Sequence, residues 1–104
     1  MQTEENEVLK VLMINNQNYL RKVSTIAVGN ENNIVVNVKA ILAEPVKMQI
    51  PKIILVHNHP SGDSFPSSID IEFTKKVKQA ANLLDIQLLD HIVIWDGEYQ
   101  SIIY

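Results

Sequence analysis

The 104-residue chain has no cysteine, which excludes disulfides and any zinc site built on thiolates. That lack is in keeping with an intracellular setting, and a cytoplasmic protein is expected. Basic charge is also scarce. Nine Lys plus Arg stand against twelve Asp plus Glu, for a formal net charge of −3. A nucleic-acid binder ordinarily carries a basic excess gathered on one face, so nucleic acid is not an expected partner. The one basic cluster, Lys75, Lys76 and Lys78, reads as the solvated surface of a helix. No apolar run approaches the length of a membrane span, and no membrane partner is expected. The start, Met1 to Glu7, is acidic where a secretory leader is basic. Residues 1–7 read as a solvated or disordered tail and residues 8–104 as a single domain.

An apolar fraction of 46% is that of a globular chain able to bury a modest core. Val8 to Ile14 alternates as a strand does, and Asn15-Asn16-Gln17-Asn18 supplies a polar turn of the hairpin type. Tyr19 to Val28 is the second strand. Val38 to Met48 is mainly helical in pattern, and Pro45, which has no N–H, is expected to break or kink it. Lys52 to Val56 is a central buried strand. From Ser68 to Leu84, the residues Ile69, Phe73, Val77, Ala80, Ala81 and Leu84 recur at helical spacing. Gln87 to Trp95 and Tyr99 to Ile103 are two further strands across an Asp96-Gly97 turn. Trp95 reads as a core or rim aromatic, and Met13 and Met48 as core fillers. The predicted fold is α/β: a mixed β-sheet packed by helices.

Residues 57–70 are the chemically informative stretch. His57 and His59 leave an apolar run, and alternate strand positions share a face. Asp70 follows in the first turn of the predicted long helix, where the dipole favours a carboxylate. Two imidazoles and one carboxylate, with water in the fourth position, form a catalytic zinc set. Each piece also has a structural explanation. Ser67 with Asp70 fits a helix cap, and Pro60 to Asp63 is ordinary turn chemistry. The residues alone leave a metal site and a capped turn with unrelated histidines both open.

His57-x-His59, then seven residues, Ser67, two residues and Asp70 resembles the JAMM motif of the JAB/MPN metalloprotease superfamily. The longer pattern adds Asn58, Pro60, Ser61, Gly62, Asp63, Pro66, Thr74 and the run Leu88 to Ile92. It resembles one bacterial branch, the RadC-like JAB domain. The resemblance is closest from Ile53 to Ile94 and fainter upstream, at Asn18, Gly29 and Asn30. It implies the JAB/MPN, cytidine-deaminase-like α/β sandwich. It also implies zinc held by His57, His59 and Asp70, with Ser67 bonding the zinc-bound water or the oxyanion. The implied reaction is hydrolysis of a peptide or isopeptide bond in a peptide or protein substrate. Asp63 is a turn residue or an acceptor for one imidazole. Asp90 and His91 are a structural pair, His91 at most shaping the site as a neighbour.

One part of the family pattern is missing. The general base there is a glutamate near the end of the second strand, and Leu20 to Val28 holds no carboxylate. Glu31, in a polar run, and Glu44, before Pro45, are the nearest acidic candidates for that role. Two functions from different classes follow. One is a zinc-dependent metallopeptidase, and the other a zinc-binding or protein-interaction domain without catalysis. A weaker alternative, from the resemblance, is a DNA-repair-associated module. A Glu31 or Glu44 near the site favours the first reading; Thr25 facing the site with no carboxylate beside it favours the second.

Overall fold

The computed structural model describes residues 8–27, 38–58, 68–95 and 97–102, with only the backbone given at 27, 68–70 and 95. The predicted tail, residues 1–7, lies outside the described residues. Seven elements follow in order: β1 (Val8–Ile14), β2 (Leu20–Ala27), α1 (Val38–Lys47), β3 (Lys52–Asn58), α2 (Ser68–Leu83), β4 (Gln87–Trp95) and β5 (Glu98–Ser101). The strands form one sheet in the order β2-β1-β3-β4-β5. β3 runs antiparallel to β1 and parallel to β4, so the sheet is mixed, as the sequence led us to expect.

Alternation decides which face is buried. Leu9, Val11 and Met13 of β1 and Ile53 and Leu55 of β3 all point one way and are buried. Ile41 and Leu42 of α1 and Val77 and Ala81 of α2 meet them in a single core. Both helices therefore lie on that face, giving a two-layer α/β sandwich. Each large apolar side chain fully buried there contributes about 1.5–3 kcal/mol. On the other face Leu12, Ile54, Val56, Ile92 and Ile94 are only half-buried. β3 is thus central in the sheet, but buried on one face rather than throughout.

Asn15 organises the β1–β2 turn. Its side-chain oxygen accepts the N–H groups of Gln17 at 3.0 Å and Tyr19 at 2.9 Å. Asn18, at φ 67°, takes the left-handed conformation that asparagine tolerates better than most residues. Asn58 fastens the opposite end of β1, its Oδ1 accepting the Val8 N–H at 2.6 Å.

Pro45 does not break α1, contrary to expectation. It sits one turn from the end, buried, and the ladder passes it with Met48 N–H donating to Glu44 C=O at 2.9 Å. Its carbonyl then accepts Ile50 N–H at 2.9 Å while Gln49 N–H donates to Val46 C=O at 3.1 Å. Those two bonds, with Gln49 at φ 57°, make a Schellman ending. α2 ends alike: Ile86 N–H reaches Ala81 C=O at 2.8 Å, Asp85 N–H reaches Asn82 C=O at 3.1 Å, and Asp85 has φ 60°. In both endings the reversal carries an isoleucine, Ile50 or Ile86, into the core. Met48, predicted as a core filler, and Leu84, the last residue of the predicted helical spacing, are left exposed because the chain turns before their positions can face inward. Lys75 and Lys76 are exposed as expected, with Lys75 3.8 Å from Glu72.

Candidate metal centre

β3 continues past the predicted Val56 through His57 and Asn58. His57 therefore belongs to the central strand, at its carboxyl end, on the face covered by the helices. Ligand-binding groups of α/β sheets gather at such strand ends. Its side chain is only 6% exposed. A buried imidazole needs polar partners, and His57 Nδ1 lies 2.7 Å from His91 Nε2. The ring centroids are 4.8 Å apart, tilted by 55°. The far nitrogen of His91, Nδ1, is 2.6 Å from Thr74 Oγ1 of α2. His91 and Thr74 are buried too, so a chain of polar side chains crosses from strand end to helix beneath the surface.

A β-bulge aims His91 there. β4 pairs with β3 as Ile53↔Leu88 and then Ile54↔Asp90, so Leu89 is the extra residue. Past it the alternation changes phase. Leu88, His91 and Val93 are all buried, as a bulge beside a site can arrange. Asp90 is turned to the other face, where its Oδ1 accepts from Ser101 Oγ and from the His91 backbone N–H at 2.8 Å. Asp90 and His91 are thus linked through the His91 N–H, while their side chains lie on opposite faces and the His91 imidazole stands beside His57 as a neighbour.

Asp70 lies in the first turn of α2, which starts at Ser68. His59, Ser67, Asp63 and Glu31 lie outside the described residues. Among the described residues there is no cluster of three groups able to hold a metal. Of the expected donor set only the His57 side chain is described, and its contact through Nδ1 is compatible with a ligating imidazole, which ordinarily donates its other ring N–H to an acceptor.

The register shows which residue of β2 lies beside His57. His57 pairs with Leu9, and Leu9 pairs with Ile26, so Ile26 stands level with His57 two strands over, about 10 Å away. It is an apolar residue packed against the core. Thr25 pairs with Lys10 and faces the opposite side of the sheet from His57. Glu44 is engaged elsewhere, accepting from Lys22 Nζ and Ser24 Oγ of β2. The Lys22 hydrogen bond first, and then that of Ser24, hold its carboxyl below the usual range. A carboxylate so stabilised is a poor proton acceptor near neutral pH.

A family model described as the RadC-like JAB domain matches residues 1–103. The chain belongs to that family. It is 41% identical over 98 residues to a UPF0758 protein of Clostridium tetani, covering 94% of this chain and 43% of that protein. A UPF0758 protein of Clostridium acetobutylicum is 42% identical over 96 residues, covering 92% and 42%. One from Caldanaerobacter subterraneus is 42% identical over 91 residues, covering 88% and 39%. The chain spans about two fifths of the length of these curated relatives. For this RadC-like domain, the mixed sheet and two helices agree with the JAB/MPN architecture. No helix among the described residues is long and apolar enough to cross a membrane.

Proposed function

We propose that this chain is a zinc-dependent metallohydrolase-type domain acting on a peptide or isopeptide bond, with His57, His59 and Asp70 as ligands. The observation that carries the reading is His57, held through Nδ1 by His91 at the carboxyl end of the central strand; in this reading Nε2 would ligate the metal. Zinc in such a set supplies Lewis acidity and lowers the pKa of a bound water. His57 supplies a rigidly held donor, and Asp70 a carboxylate favoured by the start of α2. Ser67 would hydrogen-bond the zinc-bound water or the oxyanion that forms on the substrate carbonyl.

Ile26 favours a second reading, a domain that keeps the metal and does no chemistry. An apolar side chain stands level with His57 on β2, and Glu44 is committed to Lys22 and Ser24. Glu31 is the remaining candidate for a base, and loss of a base costs about two to four powers of ten in rate.

Metal analysis of the purified protein beside His57→Ala and Asp70→Ala tests the ligand set. About one equivalent of zinc is expected in the parent and little in either variant. Equal metal in all three overturns the assignment. Fluorogenic peptide and lysine-isopeptide probes, with and without chelator, then separate the readings. Chelator-sensitive cleavage supports the hydrolase, and zinc binding without cleavage supports the second reading.

A further inference from the structure

The buried chain His57–His91–Thr74 can order its protons in two ways, and the order sets how readily His57 takes a metal. A neutral imidazole carries one N–H and one acceptor nitrogen. At 2.7 Å, one proton lies between His57 Nδ1 and His91 Nε2. If it is on His57, then His91 Nε2 accepts, His91 Nδ1–H donates to Thr74 Oγ1, and His57 Nε2 is unprotonated. If it is on His91, then Thr74 O–H donates to His91 Nδ1, His91 Nε2–H donates to His57 Nδ1, and His57 Nε2 holds a proton. Only the first arrangement offers a lone pair to a cation.

We propose that Thr74, acting through His91, selects the tautomer of His57 that binds metal, and is a positioning residue of this site. The proposal rests on the metal reading above and assigns a role to a residue that is no ligand. Thr74 lies in the middle of α2, where a threonine hydroxyl commonly gives its own proton to a carbonyl one turn back. A hydroxyl that donates in that way accepts from His91 Nδ1–H, which favours the order with the shared proton on His57 Nδ1 and His57 Nε2 unprotonated. Thr74 is fully buried, so water does not compete for the position. The Leu89 bulge completes the device, because without the phase change His91 faces the other side of the sheet.

Thr74→Val keeps the shape and removes the oxygen. The metal-competent order then loses the Thr74 acceptor of the His91 Nδ1–H, whereas the reverse order loses only a donor to that nitrogen, a smaller cost, so the equilibrium moves towards the incompetent tautomer. Zinc affinity is expected to fall about 10–100-fold, as for loss of a partner behind a ligating histidine. Thr74→Ser, which restores the hydroxyl, is expected to recover it. Imidazole 15N shifts of the metal-free protein give a second readout that needs no substitution. The parent is expected to show His57 protonated at Nδ1 and the valine variant at Nε2. Zinc affinity within twofold of the parent in Thr74→Val, or an Nε2-protonated His57 in the metal-free parent, overturns the proposal. If His57→Ala loses zinc while Thr74→Val does not, only the role of Thr74 fails; if His57→Ala keeps zinc, the metal reading itself fails.

Discussion

Gln49→Gly is expected to stabilise this domain, although it deletes a side chain and adds no contact. Gln49 holds φ 57° because the Schellman ending of α1 requires a left-handed residue between Met48 and Ile50. That conformation costs a residue with a β-carbon roughly 1–2 kcal/mol. Glycine removes the strain but adds freedom to the unfolded chain, which offsets about 0.5–1 kcal/mol. The net gain is about 0.5–1 kcal/mol, and for a domain of this size it raises Tm by about 2–8 °C. Gln49→Ala keeps the β-carbon and is expected to stay within about 0.5 kcal/mol of the parent. Thermal unfolding followed by circular dichroism, with urea titration to check for an unchanged m-value, measures all three proteins. A Gln49→Gly variant no more stable than the parent refutes the reasoning. Asp85→Gly, at φ 60° in the matching position of α2, gains less, since aspartate tolerates the left-handed region better than glutamine. Gln49 and Asp85 line one cleft of about 300 Å³, so their effects need not add.

Two further outcomes are expected. The depressed Glu44 carboxyl contributes stability that is complete above its ordinary value of 4.5 and lost as pH falls through the folded value. Glu44→Gln therefore lowers Tm near pH 7 and matches the parent in strong acid; a difference of the same size at both extremes contradicts the assigned cause. Asn58→Ala leaves the Val8 N–H without its acceptor in a part-buried position and costs about 1–3 kcal/mol by urea unfolding. An unchanged midpoint shows that the bond does not hold the start of β1.

Much of this molecule was legible along the chain because the controlling interactions are local. The alternation of Val8 to Ile14 and the three- and four-residue steps through Phe73, Val77 and Ala81 each reflect one element meeting one apolar layer. Turn chemistry at Asn15 to Asn18 is equally local. The helix endings were not legible. Neither Gln49 nor Asp85 is the glycine that advertises a left-handed residue, so Pro45 looked like a stop, Met48 looked like core and the helical spacing ran on to Leu84.

His57, His59, Ser67 and Asp70 stood out by spacing, and the family follows from the chain itself. The amino-acid order by itself determined the element succession, the α/β class and the candidate ligands, since each depends on neighbours in sequence. What stands behind His57 was decided by the tertiary structure. His91 reaches that imidazole because parallel pairing and the Leu89 bulge set the phase of β4 against β3, and Thr74 reaches His91 because α2 packs on that face. Register and bulges arise between strands distant in the chain, so no run of residues along either strand encodes them alone.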